Sequence, residues 1–149
     1  MSGLLAQIIM RILSLEAKAL VHATEDREKV MGVFQFILPF PIEYMSQIAK
    51  GQYGNPIEII SVKVTHARDI RAFLKHIAAN MGKEWERLGR EIEQRFSSGK
   101  FYIRFDKMKA YLGELSLGKG LQVELTITSY PYNEDKIKKE LRKLFENVH

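Results

Sequence analysis

Apolar and polar residues alternate in four segments of the chain, and a period of two residues indicates a half-buried β-strand. The clearest case is 57–65, where β-branched residues supply most of the apolar positions. The alternation predicts strands over 12–23, 57–65, 100–106 and 121–129. The apolar residues of 4–13 fit the helical and the strand period equally well, so this segment is either a short helix or an extension of the first strand.

Apolar residues recur every three or four positions in four other segments, which predicts amphipathic helices. These helices span 25–38, 67–81, 83–96 and 133–148. Thr24 is the predicted N-cap of the first helix because its hydroxyl can accept a hydrogen bond from an orphan amide. Glu25 and Asp26 place negative charge in the first turn. Pro39 and Pro41 end the helix because proline removes amide donors.

The remaining residues are predicted to form loops. Residues 42–54 lead into the turn-forming run Gly-Gln-Tyr-Gly-Asn-Pro at 51–56, and residues 107–120 form a loop or a short helical turn. The resulting order β-α-β-α-α-β-β-α predicts an α+β fold, a two-layer sandwich in which helices cover one face of a mostly antiparallel or mixed sheet. No repeat or linker interrupts this order, so we expect residues 1–149 to form a single domain.

Composition excludes several classes of function. The 149 residues are 46% hydrophobic and 28% charged, which is typical of a globular chain. They include no cysteine, which excludes thiol nucleophiles, cysteine-ligated zinc, iron–sulfur clusters and disulfide frameworks. Gln7 and Arg11 interrupt the longest apolar stretch, so we expect no membrane span and no signal peptide, and a cytoplasmic protein.

The charge of the chain is unevenly distributed. Its formal net charge is +5 and its pI is near 9.4. Residues 62–120 carry the excess, with 13 basic and 7 acidic side chains. A basic middle segment suggests a polyanionic partner such as nucleic acid. Heat-adapted proteins with Lys- and Glu-rich surfaces have a similar charge pattern, so charge alone does not identify the partner.

Residue types that usually catalyse reactions or bind metals form no recognised pattern here. None of the four histidines has a metal-ligand spacing to another: His22, His66, His76 and His149. Glu25 and Asp26 are explained as first-turn acids of a helix, and Gly-Lys-Gly at 118–120 lacks the rest of a phosphate loop. We therefore expect neither an enzyme nor a metal site, and no cofactor.

One stretch, 102–113, interleaves basic and aromatic side chains at the end of a predicted strand. Lysine and arginine neutralise phosphates, and tyrosine rings offer faces on which unpaired bases stack. The same stretch also fits a solvated strand face whose tyrosines pack against the helices. The candidate RNA contacts in it are Tyr102, Arg104, Lys107, Lys109 and Tyr111. Four further residues extend this patch if their loops lie at the same sheet edge: Lys50, Tyr53, Arg68 and Lys119.

Three motifs follow one another between residues 22 and 113. They are His-Ala-Thr-Glu-Asp at 22–26 with Lys-Val at 29–30, Lys-Gly-Gln-Tyr-Gly-Asn-Pro-Ile at 50–57, and Arg-Phe-Asp-Lys at 104–107 with Ala-Tyr-Leu-Gly at 110–113. In this order they resemble a family of small archaeal proteins described as RNA-binding, some of which are labelled predicted exosome subunits. The resemblance implies a fold similar to that of the large-subunit ribosomal protein that binds 5S ribosomal RNA, a two-layer α+β sandwich.

The resemblance implies a non-catalytic RNA-binding protein, since no catalytic residues carry over from the family. We expect lysine and arginine to contact RNA phosphates and tyrosine to contact bases, in RNA processing or a ribosome-related assembly. The alternative is a protein-interaction subunit of an exosome-like RNA-processing complex that makes no RNA contact itself. A third hypothesis is an enzyme that acts on nucleic acid. The apolar segment 4–13 either packs into the core or forms the seam of a homodimer.

Overall fold

The computed structural model describes residues 10–146. Six strands and six helices follow one another along these residues. In chain order they are β1 Met10–Val21, α1 Arg27–Ile37, β2 Met45–Lys50, β3 Pro56–Val64, α2 Ala67–Asn80, α3 Lys83–Arg90, α4 Ile92–Arg95, β4 Phe96–Ser97, β5 Lys100–Asp106, α5 Lys107–Tyr111, β6 Gly120–Ser129 and α6 Glu134–Glu146.

The strands form one antiparallel sheet with the order β2-β3-β1-β6-β5-β4. β1 lies in the middle, where Ala17 is paired with Val62 of β3 on one side and with Val123 of β6 on the other. Ile103 of β5 continues the same row beyond Val123. Because directly paired residues share a face, this register places the apolar side chains of four strands together.

The helices cover that apolar face. Phe34 of α1, Phe73 of α2 and Phe145 of α6 are at most 1% exposed and belong to one contiguous core with the strand residues. The opposite face of the sheet carries polar side chains, among them the exposed Lys18 and Arg104. The predicted two-layer α+β arrangement is therefore confirmed, and its sheet is antiparallel.

The four strands predicted from alternation are all present, and the bounds of 100–106 are confirmed. The prediction of a loop over 42–54 is wrong, because β2 lies within it. β2 is an edge strand whose Met45 and Ile48, on opposite faces, are 76% and 66% exposed, so it shows no alternation of buried and exposed positions. Of the ambiguous segment, 10–13 belongs to β1, and 4–9 lies outside the described residues.

The predicted helix over 83–96 is divided in the structure. Glu91, with φ −106° and ψ 24°, separates α3 from α4, and Phe96 already belongs to β4. The carboxylate of Glu91 holds the two short helices together, because it lies 2.9 Å from Arg87 Nε and 2.7 Å from Arg95 Nη2. The helical spacing of apolar residues continues across the break, which is why the pattern did not reveal it.

The N-cap of α1 is Asp26 and not Thr24, so the helix begins two residues later than predicted. One oxygen of the Asp26 carboxylate, Oδ1, accepts a hydrogen bond of 3.0 Å from the amide of Glu28. Thr24 lies in the preceding turn and is exposed. Asp26 thus satisfies one of the amides that a helix N-terminus leaves without a partner.

All three sequence motifs meet at one end of the sheet. There β1 ends next to the start of β3, and β5 ends next to the start of β6, since Val21 pairs with Glu58 and Asp106 with Gly120. The loops at this end are 22–26, 51–55 and 112–119, together with α5. We call these residues, together with the flanking Lys29, Lys50 and Asp106, the motif end. The antiparallel register therefore brings together segments that are more than 80 residues apart in the sequence.

Candidate functional site

Lys107 connects the first and third motifs at the motif end. Its ammonium lies 2.8 Å from Glu25 Oε2 and donates a hydrogen bond of 2.9 Å to the backbone carbonyl of Leu20. The Lys107 side chain is only 12% exposed. Lys107 was predicted to contact RNA phosphates, but the structure uses its charge within the protein.

Glu25 is held in its charged form by this arrangement. Partial burial raises the pKa of Glu25, but the hydrogen bonds from the His22 amide and the Lys107 ammonium lower it by more. The pKa of Glu25 therefore lies below its ordinary value of 4.5. The acid and the base neutralise each other, so neither contributes net charge to the surface.

Lys109 and Tyr111 lie on α5 and face outward. Asp106 caps this helix, since its carboxylate accepts a hydrogen bond of 2.9 Å from the Lys109 amide. The Lys109 side chain is 54% exposed and reaches only a loose contact of 4.0 Å with the exposed Glu114. Tyr111 is 45% exposed. Both residues are therefore accessible to a ligand.

Lys29 of α1 is a member of this surface that the sequence analysis did not select. Its ammonium lies 5.0 Å from the centroid of the Tyr111 ring, within the range of a cation–π interaction. Lys29 is exposed and makes no ion pair with a described residue. Lys29 belongs to the first motif, and this was the signal that could have identified it.

A tight loop brings Lys119 to the same end. The backbone carbonyl of Lys119 accepts a hydrogen bond of 2.9 Å from the Lys107 amide, which fastens the loop to the start of α5. Gly120 has φ +121°, and a Cβ there would overlap the Lys107 side chain. The Gly-Lys-Gly run therefore serves close packing, and it leaves the Lys119 side chain exposed without an ion pair among the described residues.

The turn between β2 and β3 supplies Lys50 and Tyr53. The Gly51 amide donates a hydrogen bond of 2.7 Å to the Asn55 carbonyl, and Gly54 has φ +82°, a conformation that favours glycine. Tyr53 is 87% exposed at the tip of the turn. A shallow depression separates this turn from His22 and the residues that follow it.

Tyr102 and Arg104 lie on the polar face of the sheet and not in a loop. They are two residues apart on β5, and the Arg104 guanidinium lies 5.5 Å from the centroid of the Tyr102 ring. Gln122 of β6 separates Arg104 from Lys18 of β1 in the same row. This pair extends the motif end onto the polar face of the sheet.

Arg68 does not join this surface. It lies in the first turn of α2, which follows the end of β3, and Val64 at that end pairs with Leu15, the sixth residue of β1. β3 begins at the motif end and runs away from it. The adjacency expected for Arg68 is therefore wrong, because β3 carries the chain away from the motif end between Tyr53 and Arg68.

A groove lies between α1 and α5 beside these residues, with a volume of about 290 Å³. Val30, Val33, Met108 and Tyr111 provide its apolar lining. Its polar lining comes from Thr24, Glu25, Asp26, Lys29 and Lys107. The groove therefore combines an apolar floor with the hydrogen-bonding groups of the first motif.

Residues 10–146 contain neither a candidate metal site nor a helix that could cross a membrane. No three His, Asp or Glu side chains of these residues lie close enough together to hold a metal ion. None of the helices in this part of the chain combines the length and the apolar character that crossing a bilayer requires.

Comparisons with known proteins identify relatives over most of the chain. A family model described as RNA binding matches residues 14–129. RNA-binding protein PAB1135 of Pyrococcus abyssi is 32% identical over 146 residues, which cover 89% of this chain and 93% of that protein. Uncharacterized protein MJ0213 of Methanocaldococcus jannaschii is 32% identical over 140 residues, which cover 86% of this chain and 93% of that protein.

Solved structures share the fold. The crystal structure of protein AF2318 from Archaeglobus fulgidus has a TM-score of 0.83 and 37% sequence identity, covering 90% of this chain and 99% of that one. Mth689, a DUF54 protein from Methanothermobacter thermautotrophicus, has a TM-score of 0.73 at 23% identity, covering 90% and 98%. The second likeness concerns the fold alone, and together the two show that this sheet and its helices recur in archaeal proteins.

Proposed function

We propose that the protein binds RNA through the basic and aromatic surface of the motif end and catalyses no reaction. The proposal starts from the family: the chain belongs to the RNA-binding family whose model it matches. The family model covers 116 of the 149 residues, and all three motifs lie within it. The phosphate contacts are assigned to Lys29, Lys50, Lys109, Lys119 and Arg104. The exposed rings of Tyr53 and Tyr111 and the half-buried ring of Tyr102 are assigned to the bases.

The observation that carries this proposal is that three acids of the motif end are used inside the protein, whereas its outer lysines make no ion pair with a described residue except the loose contact of Lys109 with Glu114. Glu25 pairs with Lys107, and the carboxylates of Asp26 and Asp106 cap α1 and α5. By contrast, Lys50 and Lys119 are exposed and make no ion pair with a described residue. The surface therefore presents positive charge that phosphates can neutralise with release of counterions.

The tyrosines provide the second part of the support. Tyr53 is 87% exposed at a turn tip, where a ring of this size has no packing role, and Tyr111 is 45% exposed beside Lys29. Exposed rings next to cations are the usual platform for unpaired bases, because bases stack on the ring while lysine contacts the backbone. We therefore infer that single-stranded or irregular RNA is preferred over regular duplex.

The experiment that tests this function measures how much total RNA the purified protein retains on a filter. It is done at two salt concentrations, with double-stranded DNA as the competitor. We expect retention that falls as salt rises and that survives the DNA competitor, with the RNA recovered intact after incubation. Retention equal for RNA and DNA would reduce the proposal to non-specific polyanion binding. RNA recovered as fragments would favour an enzyme acting on nucleic acid.

A protein that retains no RNA at low salt would contradict the proposal and favour an interaction subunit of an RNA-processing complex. That function predicts a protein partner whose capture survives nuclease treatment. The exosome-like assembly suggested by the sequence resemblance is tested by the same capture experiment.

A further inference from the structure

The groove between α1 and α5 has the size and lining of a site for a single small ring. Its volume of about 290 Å³ lies at the small end of ligand pockets in proteins. Val33 lies at its base and is 1% exposed, whereas Met108 is 67% exposed and Tyr111 is 45% exposed. Apolar side chains that form a concave wall are suited to a flat ring, because the ring removes apolar surface on both sides from water.

The charges in the groove are arranged so that its interior is close to neutral. Lys107 lines the groove, but its ammonium is paired with Glu25 and bonded to the Leu20 carbonyl. Lys29 is the groove cation without an ion pair among the described residues. A phosphate is therefore attracted to Lys29 and not to the interior, where the free groups are hydrogen-bond acceptors.

Two of these acceptors have no partner among the described residues. Asp26 uses Oδ1 for the Glu28 amide, and Oδ2 of the same carboxylate makes no hydrogen bond with a described residue. The hydroxyl of the exposed Thr24 likewise has no hydrogen-bond partner among those residues, and it can accept or donate. A carboxylate oxygen accepts but does not donate at neutral pH, so Asp26 selects a ligand group that donates, such as an amino group.

We propose that this groove takes one unpaired RNA base that carries an exocyclic amino group. The base stacks beside Tyr111 against Met108 and Val33, its amino group donates to Asp26 Oδ2, and the neighbouring phosphate lies on Lys29. This inference rests on the proposed RNA-binding function and adds to it a selectivity for one kind of unpaired base. A base within a regular duplex is stacked on both faces and its edge is paired, so it cannot enter.

The test compares three hairpin RNAs of otherwise identical sequence by filter retention. One has a single bulged adenosine, one has a bulged uridine at the same place, and one is fully paired. We expect the wild-type protein to bind the bulged adenosine RNA about tenfold more tightly than the paired RNA. We expect the bulged uridine RNA to bind several-fold more weakly than the adenosine RNA, because uracil lacks the amino group.

Two variants assign this preference to the groove. Tyr111→Ala should remove the preference for the bulged RNA, so that bulged and paired RNA bind with equal affinity, and Tyr111→Phe should restore the preference because the ring is kept. Asp26→Ser keeps an N-cap on α1 but removes the carboxylate, so it should remove only the preference of adenosine over uridine. Leu112→Ala is the matched control, since Leu112 is 77% exposed next to Tyr111 but does not line the groove.

The outcomes separate this inference from the proposed function. If bulged and paired RNA bind equally and with a normal salt dependence, the groove site is wrong and RNA binding stands. If Tyr111→Ala weakens all three RNAs by the same factor, Tyr111 acts as a general contact and the groove site is also wrong. If none of the RNAs is retained, both the groove site and the proposed function are contradicted.

Discussion

The Lys107 ammonium and the Glu25 carboxylate lie 2.8 Å apart although 82 residues separate them in the sequence. This ion pair fastens the loop after β1 to the start of α5, and the Leu20 carbonyl accepts a second hydrogen bond from the same ammonium. The pair positions Lys29 and Tyr111 around one groove. Its role in the proposed surface is thus structural, because it positions the residues that are free to contact a ligand.

Replacing Lys107 should lower the stability of the protein, because its ammonium binds groups of the protein and not phosphates. In Lys107→Met the Glu25 carboxylate loses its partner, and the Leu20 carbonyl loses a donor, so we expect the free energy of unfolding to fall by about 1–2 kcal/mol. Lys109→Met is the matched control, and its 54% exposure predicts a change within about 0.5 kcal/mol. Urea denaturation of the two variants measures the difference. Equal stabilities would show that the ion pair contributes nothing to folding.

The stabilising effect of Glu25 should depend on pH with a definite sign. The folded protein lowers the pKa of Glu25 below its ordinary value of 4.5, so the unfolded chain takes up the proton at a higher pH than the folded chain. The contribution to stability is therefore complete above the unfolded value and is lost as the pH falls through the folded value. The unfolding free energies of wild type and Glu25→Gln should differ most above the ordinary pKa of 4.5 and converge as the pH falls below the lowered pKa of the folded protein. A difference that stays constant over this range would contradict the assigned pKa shift.

Gly120 and Gly32 should respond in opposite directions to replacement by alanine. Gly120 has φ +121°, and its added Cβ would meet the Lys107 side chain, so Gly120→Ala should cost about 1–3 kcal/mol. Gly32 lies on α1 with no atom near an added Cβ, so Gly32→Ala should gain about 0.5–1 kcal/mol from the helix propensity of alanine. Thermal unfolding of the two variants tests both signs. If Gly120→Ala were as stable as the wild type, the loop would not pack on α5 as described.

Two arginines that the sequence placed in one patch should behave differently. Arg104 lies on the polar sheet face next to Tyr102, whereas Arg68 follows the end of β3 that lies away from the motif end. We expect Arg104→Ala to reduce the slope of log affinity for RNA against log salt by about one, and Arg68→Ala to leave it unchanged. Filter retention over a salt series measures both slopes. A larger loss for Arg68→Ala would move the RNA surface away from the motif end.

The sequence predicts the parts of the fold in which burial follows a simple period. β5 and β6 alternate between the core and the polar face of the sheet, so their positions follow from the apolar pattern alone. β2 was missed because an edge strand with exposed Met45 and Ile48 leaves no such pattern. Glu91 divides a helix whose apolar spacing continues past the break.

In the candidate site, the exposure of single residues follows from the local sequence, whereas the contacts between distant residues do not. Lys109, Lys119 and Tyr53 are exposed, because the short helix α5, a loop and a turn present them to solvent. The pairing of Lys107 with Glu25 depends on the sheet register, which no local pattern contains. Arg68 was grouped with the patch by residue type, and only the direction of β3 shows that it lies elsewhere.

The most direct test of RNA binding at the motif end compares two triple variants with equal loss of charge. Lys50, Lys109 and Lys119 are changed to alanine in one, and the exposed Lys75, Lys136 and Lys139 of α2 and α6 in the other. The dependence of RNA affinity on salt is then measured for both and for the wild type. We predict that the motif-end variant loses about two to three units of slope and that the control keeps the slope of the wild type. Equal losses in the two variants would contradict a defined RNA surface at the motif end.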